Sequence, residues 1–441
     1  MEETQRPTAE DAIVRKVAMA SMLGTILEWY DFFLYGFVAA LVFGPLFFPS
    51  YSPLSGTLAS FGTLAVGFVA RPLGGILFGH YGDRIGRKTM LIVTISMMGG
   101  ISFLIGCLPT YEMIGAAAPI LLVILRFLQG IALGGEWGGA VLLAIEYAPP
   151  GRKGFFGSIV QLGAGTGLAL ATSILFAGTF LLSKADFLSW GWRIPFLLSI
   201  VLLGFGLYIR LKIAETPAFK KAQESGNVVR IPIVEVLRRY PKQLLCTTAL
   251  YLGGITIPFY TVWVFLVYYA TAILKIDRSS VLLGVMVVNL ILLAATIGGG
   301  IVSDRVGRRP VFLAGVLLLG LLAFPFFWIA NLAEPQWIWF VMLIFGAPQW
   351  WVWGVLPAFF SELFPTHLRY TGISVGSQAA TIIGGFVPLF ATAVVATAGT
   401  WPVSILIIVS ELLAIWALVV VKETVESRSA GATLKCAVQI C

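Results

Sequence analysis

The sequence predicts an all-α polytopic membrane protein with twelve transmembrane helices in two pseudo-symmetric six-helix bundles, and three observations lead to this fold class. Hydrophobic residues make up 59% of the 441 residues and charged residues only 11%, whereas a soluble domain carries about 25% charged residues. Apolar stretches of bilayer-spanning length recur along the chain, and a polar loop sequence of the first half returns in the second. A surface this apolar is stable against lipid rather than water.

The apolar stretches can be placed individually, because a spanning helix needs roughly 20 mostly apolar residues. They lie at 17–44, 57–79, 89–108, 118–147, 154–182, 192–211, 243–271, 280–303, 311–330, 337–361, 370–398 and 401–421. The longest polar interval divides them into six and six. We therefore expect an N-terminal tail, a first bundle, a middle loop, a second bundle and a C-terminal tail at 1–16, 17–211, 212–241, 242–421 and 422–441.

Lysine and arginine set the expected orientation, because cytoplasmic loops carry an excess of these residues. Placing the N-terminus inside puts most of the 29 basic residues on the cytoplasmic side. We therefore expect a multi-pass protein of the plasma (inner) membrane with both termini in the cytoplasm. This asymmetry accounts for the net charge of +8 without a nucleic-acid partner. Attraction to anionic lipid is the alternative interpretation of the basic middle loop.

A loop sequence is repeated in the two halves. Residues 83–88 (DRIGRK) follow the second span, and residues 304–309 (DRVGRR) follow the eighth. A second pair of matches, after the fourth and tenth spans, has nearly the same offset. Two matches at one offset indicate an internal duplication in parallel topology. Parallel halves of this kind place a substrate site at their interface near the midplane, with access that alternates between the two sides.

Two acids lie inside the first span. Glu28 and Asp31 share one helical face at i, i+3 spacing. Two carboxylates so close in a dry cavity do not both ionise easily, so one of them is suited to carry a proton. We hypothesise that Asp31 takes the proton, that Arg126 of the fourth span holds it ionised when deprotonated, and that Glu28 is the second candidate carrier. The alternative is a static buried ion pair that fixes helix register.

Arg71 in the second span is a further buried cation and needs an anion. That anion is Glu28, Asp31, Glu136 or a substrate carboxylate, which arginine binds well in bidentate fashion. Aromatic walls with a few polar groups are typical of ligand sites, although aromatics in spans also pack or form interface belts. The candidate substrate-binding residues are Arg71, Gln129, Glu136, Trp137, Gln161, Tyr251, Tyr260, Trp263, Asn289, Gln349 and Trp353.

The two repeated loops suit a cytoplasmic latch, whose charges bridge helix ends when the cavity faces out and separate when it faces in. Topology determination alone explains the basic residues, but it does not explain the repeated aspartate and glycine. The candidate gating residues in these loops are Asp83, Arg84, Gly86, Arg87, Lys88, Asp304, Arg305, Gly307, Arg308 and Arg309.

Several motifs resemble those of a known family. GHYGDRIGRK at 79–88 resembles the loop signature of the major facilitator superfamily. EWYDFFLYG at 28–36, FVARPLGG at 68–75, LRFLQGIALGGEWGG at 125–139 and WGWRIPF at 190–196 resemble its metabolite:proton symporter branch, which includes shikimate, oxoglutarate, citrate and proline/betaine carriers. The resemblance covers nearly the whole chain, and the GGEWGG motif resembles the shikimate carriers more than the oxoglutarate carriers.

The resemblance implies the major facilitator fold and a proton-carrying acid in the first span that is paired with Arg126. It also implies that the cytoplasmic latch has partner residues in the second pair of matching segments, which follow the fourth and tenth spans. These implied gating residues are Glu146, Arg152, Glu362 and Arg369.

Together these features predict a secondary active transporter that carries a small, carboxylate-bearing, shikimate-like metabolite with a proton by alternating access. We expect a monomer in the bilayer that needs no cofactor or metal, because the only histidines, His80 and His367, belong to no metal cluster. No nucleotide-binding or hydrolase motif argues for an enzyme. The alternatives are a proton-independent facilitator or exporter and a membrane sensor on a transporter scaffold. Proton dependence of uptake separates symport from facilitation.

Overall fold

The computed structural model describes residues 9–85, 87–212, 232–365 and 368–423. None of these residues lies in a β-strand. Eleven of the helices they form are long and apolar enough to cross a membrane, and a shorter apolar helix occupies the third predicted position. We number them α1 (Val17–Phe47), α2 (Pro53–Phe78), α3 (Ile92–Cys107), α4 (Ala117–Glu146), α5 (Lys153–Leu181), α6 (Gly191–Tyr208), α7 (Pro241–Ile273), α8 (Arg278–Val306), α9 (Arg308–Ala330), α10 (Pro335–Glu362), α11 (Arg369–Ala398) and α12 (Trp401–Val420).

These helices coincide with the twelve predicted spans, and the predicted fold class is confirmed. The packing repeats between the halves. In the first half α1 packs on α5, α2 on α4 and α3 on α6, and in the second half α7 packs on α11, α8 on α10 and α9 on α12. The halves meet along α5 with α8 and along α2 with α11. Each pairing has its counterpart six helices later, as the internal duplication requires.

Several spans are not regular α-helices. Helix α4 is interrupted between Leu133 and Trp137, where Gly134 and Gly135 lie. Helix α7 contains π turns at Leu252–Thr256, Thr261–Phe265 and Tyr269–Ile273. The first π turn contains two glycines, and Pro258, which has no N–H to donate, follows it. Such π turns are frequent at functional sites, and α7 lines the centre of the molecule.

Glycines bring α2 and α4 into backbone contact. A Cβ added at Gly130 would overlap the carbonyl oxygen of Gly67, and one added at Gly134 would overlap that of Arg71. Small residues permit such an approach between membrane helices. The contact fixes α4, and therefore Arg126, against α2.

A methyl group at this contact should therefore destabilise the fold. We expect Gly130→Ala to lower the free energy of unfolding by at least about 1–3 kcal/mol, the usual cost of overpacking. Gly100→Ala in α3 is the control, because an added Cβ there would meet no atom within 4 Å. Thermal unfolding in detergent, followed by tryptophan fluorescence, measures both variants. Equal melting temperatures would contradict the backbone contact.

Candidate transport site

Asp31 is buried at the inner face of α1 and is held by hydroxyl groups. Its Oδ1 accepts a hydrogen bond of 2.7 Å from Ser199 Oγ of α6. Ser102 of α3 is a second hydroxyl neighbour of this carboxylate. The site therefore draws on three helices of the first half. Serine hydroxyls both donate and accept, so they satisfy a protonated as well as an ionised carboxyl group.

Arg126 is linked to the same serine through a side-chain amide. Arg126 Nη1 donates to Gln129 Oε1 at 2.6 Å, and Gln129 Nε2 donates to Ser102 Oγ at 2.7 Å. The guanidinium carbon lies 4.0 Å from the centre of the Tyr35 ring, a cation–π contact. No carboxylate of the described residues lies within 4.0 Å of Arg126. Arg126 is thus joined to Asp31 by a chain of polar groups, and its role in holding Asp31 ionised stays a prediction.

Arg71 of α2 is buried against aromatic rings. Its guanidinium carbon lies 4.6 Å from the ring centre of Phe68 and 5.4 Å from that of Phe32. Within the part of the chain that the structure describes, it has no ion pair within 4.0 Å. Glu28 and Glu136, two of its expected partners, are buried in α1 and α4. The guanidinium group is therefore stabilised by contact with ring faces, and the N–H donors at its edge remain able to bind another group.

Four predicted substrate residues come together where the two halves meet. Trp137 Nε1 donates to Gln161 Oε1 at 3.1 Å, and Gln161 Nε2 donates to the Trp353 carbonyl at 3.2 Å. The Trp137 and Trp353 rings stack with centres 6.3 Å apart. Tyr251 packs edge-on against Trp137 at 5.8 Å. We call these residues, with Trp29, the aromatic cage.

Trp29 completes the cage from α1. Its ring lies 5.4 Å from Trp353 and 5.6 Å from Phe259. It stands between Glu28 and Asp31 in the sequence, and our sequence analysis did not select it. Ser102, Ser199, Phe32 and Phe68 were missed as well. The sequence contains an indirect signal for Phe32 and Phe68, which lie within three residues of the predicted residues Asp31 and Arg71. It contains none for the two serines, which look like ordinary residues of α3 and α6.

The remaining predicted substrate residues lie around the cage rather than in it. Tyr260 contacts Phe32 and Phe68 and so lies on the Arg71 side. Trp263 Nε1 donates to Gln349 Oε1 at 2.8 Å within the second half. Asn289 Nδ2 donates to the Gly165 carbonyl at 2.6 Å, which joins α8 to α5. Gln129 belongs to the Arg126 chain described above.

The last turn of α8 joins the two halves at one end of the bundle. Asp304 Oδ1 accepts from the Gly154 backbone N–H at 2.8 Å, and Oδ2 accepts from that of Phe155 at 2.9 Å. These N–H groups belong to the first turn of α5, where helix donors lack internal partners and the dipole favours an anion. We call this end, with residues 304–309, Arg152 and Glu362, the basic end.

A buried arginine supports Asp304 from its own half. Arg308 is 2% exposed, and its Nη1 lies 2.8 Å from Asp304 Oδ1. Its Nε lies 3.4 Å from Glu362 Oε2 of α10. The Glu423 carboxylate accepts from the backbone N–H groups of Arg308 and Arg309 at 3.0 and 2.9 Å. Glu423 is not among the predicted gating residues, because it lies in the predicted C-terminal tail, 422–441.

The other candidate gating residues are more peripheral. Arg152 lies over the rings of Phe155 and Phe156, and together with Arg305 it borders a cleft of about 380 Å³. Arg369 Nε donates to the Phe364 carbonyl at 3.4 Å. Glu146 is exposed at the end of α4, and Gly307 has a φ of 113°, which glycine adopts without strain. Outside the described residues lie Gly86 and the side chains of Asp83, Arg84, Arg87 and Lys88.

Contacts between the halves also occur at the end opposite the basic end. Ser279 Oγ of α8 donates to Thr179 Oγ1 of α5 at 3.4 Å, and the rings of Phe61 and Tyr268 lie 6.0 Å apart. The five cage residues are each at most 7% exposed. The cage is therefore enclosed between contacts at both ends of the bundle.

Comparisons with known proteins agree with the fold. The family model of the Major Facilitator Superfamily matches residues 21–388. The shikimate transporter of Escherichia coli K12 is 44% identical over 393 residues, which cover 88% of this chain and 89% of that protein. The proline/betaine transporter of the same organism is 33% identical over 391 residues, which cover 87% of this chain and 78% of that protein.

Solved structures share the fold. The partially occluded inward-open xylose transporter of E. coli has a TM-score of 0.74 at 17% identity, covering 94% of this chain and 99% of its own. A D-xylose–proton symporter has a TM-score of 0.73 at 19% identity, covering 93% and 98%. At these identities the likeness shows the fold alone. The family model and the sequence relatives go further: the chain belongs to the Major Facilitator Superfamily and is a multi-pass membrane transporter rather than an enzyme.

Proposed function

We propose that this transporter carries a small, carboxylate-bearing, shikimate-like metabolite together with a proton, as a monomer in the plasma (inner) membrane with both termini cytoplasmic. The observation that carries the proposal is a pair of buried arginines, Arg71 and Arg126, set against ring faces beside a cage shared by the two halves. The 44% identity to a shikimate transporter, over nearly nine tenths of both chains, supports this substrate class.

The proton is assigned to Asp31. A carboxylate inside the bilayer is costly when ionised, and Ser102 and Ser199 reduce that cost without removing it. Arg126 acts on Asp31 through Gln129 and Ser102, so a change at Arg126 is transmitted to the proton site. Glu28, one turn earlier on the same face, is the second candidate carrier.

The substrate carboxylate is assigned to Arg71. Guanidinium groups bind carboxylates through two parallel hydrogen bonds, and the ring faces hold this one in a fixed plane. The apolar face of a small ring would lie on the indoles of the cage, and its hydroxyl groups would meet Gln161. Binding there would replace contacts that now join Trp137 to Trp353 across the halves, which is how a substrate could favour the alternation of access.

The basic end is assigned the role of a gate. Asp304 closes it by binding the first turn of α5, and opening requires the loss of those bonds. By the internal repeat, Asp83 is assigned the corresponding gating role in the first half.

Changing Arg71 to lysine tests the substrate assignment. We expect Arg71→Lys to weaken substrate binding about 10–100-fold, because a bidentate charge-assisted pair contributes about 1.5–3 kcal/mol more than a single contact supplies. Arg278→Lys, at the start of α8 and far from the cage, is the matched control. Competition by oxoglutarate, citrate, lactate and betaine against labelled shikimate in vesicles gives the affinities. Unchanged affinity in Arg71→Lys would remove this residue from the substrate site.

A further inference from the structure

A buried acid in the second half has no part in the site described above. Glu411 is the eleventh of the twenty residues of α12, and its side chain is near mid-span. The residue is 2% exposed. Neither of its carboxyl oxygens has a hydrogen-bond partner within the described part of the chain. Among the described residues no basic side chain forms an ion pair with it.

The surroundings of Glu411 are apolar and closely packed. The side chain lies against Gly320 of α9, where an added Cβ would be 3.7 Å from Glu411 Cβ. On the side of α7, Gly253 packs directly on the Ser410 carbonyl and the Ala414 methyl group. Helix α12 is thus held between α9 and α7, and water has no room beside the carboxyl group.

The titratable groups of the neighbouring helices lie elsewhere. In α7, Tyr251 points into the aromatic cage, and Tyr260, Tyr268 and Tyr269 contact Phe68, Phe61 and Phe327. Lys242 and Cys246 lie two or more turns before Gly253. Arg308 and Arg309 of α9 are at the basic end, three turns from Gly320, and the Val387–Ala398 segment of α11 has no titratable residue.

An ionised carboxylate in such a place would be far more costly than a neutral one, because nothing replaces its hydration. We propose that Glu411 is a second proton-binding site of this chain, separate from Asp31, that holds its proton in the conformation described here. Its ligand is the proton alone, since the described residues place no second side chain to complete a metal site.

The position of Glu411 links this proton to α7. The π turn Leu252–Thr256 packs on α12 through Gly253, and Tyr251, immediately before it, forms a wall of the cage. A shift of α7 that changes the cage also changes the packing around Glu411. Water that enters there would allow the carboxyl group to ionise, so the bound proton stabilises the packing of α7 on α12.

Infrared spectroscopy of the protein in lipid tests the proposal directly. At pH about 7, where a solvated carboxyl group is ionised, we expect a protonated-carboxyl C=O band in the wild type that is missing in Glu411→Gln. Glu112→Gln changes an exposed acid outside the spans and should leave the band unaltered. Identical bands in the wild type and Glu411→Gln would overturn the proposal.

Unfolding in detergent supplies an independent measurement. The folded wild type would hold a proton that the unfolded chain releases at neutral pH. For each unit by which the pH is raised, its unfolding equilibrium constant should therefore increase by a factor about ten times larger than that of Glu411→Gln. Parallel pH dependences would overturn the proposal. Both experiments need neither substrate nor gradient, so their outcome is independent of the proposed symport.

Discussion

Asp31→Asn is expected to abolish proton-driven accumulation of substrate while leaving exchange of substrate across the membrane. Asparagine resembles the protonated aspartate in shape and charge, and it keeps a hydrogen bond with Ser199. A carrier fixed in the loaded state can exchange substrate for substrate, but it cannot release the proton that completes net transport. One coupled proton drives about tenfold accumulation per unit of pH difference, and the variant should lose all of it.

Accumulation and counterflow in vesicles measure the two activities separately. Asp186→Asn, a change in an exposed acid between α5 and α6, is the matched control and should accumulate substrate like the wild type. Glu28→Gln shows whether the second acid shares the task. Full gradient-driven accumulation by Asp31→Asn would show that Asp31 does not carry the coupled proton. Loss of both accumulation and counterflow would indicate a structural role for Asp31.

Asp304→Asn is expected to weaken the basic end. The asparagine side chain has one oxygen instead of two, so one of the two α5 backbone N–H groups loses its acceptor, and Arg308, which is almost fully buried, loses its nearest carboxylate. Removing one partner of a buried ion pair costs about 3–5 kcal/mol, and Glu362 at 3.4 Å offsets part of that cost. We therefore expect the free energy of unfolding to fall by about 3 kcal/mol, and a larger fraction of the molecules to be open at the basic end.

Cysteine labelling detects the opening. In a cysteine-free background, Ser158→Cys places a thiol where α5 packs on Gly300 of α8. The Asp304→Asn change should increase its rate of modification about tenfold or more, which corresponds to about 1.4 kcal/mol. Asp277→Asn is the control, because Asp277 binds Ser280 N–H within its own half. Equal labelling in both variants would show that Asp304 does not hold this end closed.

The sequence was sufficient for the spans because apolar runs of bilayer length have few alternatives in lipid. It also located Asp304 as a special residue, since the repeat preserves an aspartate where basic residues alone would set topology. The atoms that Asp304 binds could not be predicted, because they are backbone groups at the start of a helix in the other half. The predicted span 154–182 makes Gly154 and Phe155 first-turn donors, but nothing in the sequence places Asp304 beside them.

The Asp31 site shows where sequence reasoning stopped. Helical periodicity places Glu28 and Asp31 on one face, and burial of Arg126 makes it the natural counter-charge. Periodicity does not determine how far apart side chains of different helices lie. Gln129 and Ser102 stand between the arginine and the acid. Gln129 was predicted as a substrate-binding residue rather than as a partner of Arg126, and the small side chain of Ser102 gave no signal. The same limit applies to Glu423, whose contacts depend on the direction of the chain after α12.

Uptake of labelled shikimate into vesicles, with and without an inward proton gradient, tests the central claim most directly. The account predicts accumulation above the external concentration only when the gradient is present, and its loss when the gradient is collapsed. Equal, non-concentrative uptake under both conditions would contradict proton coupling and identify the protein as a facilitator.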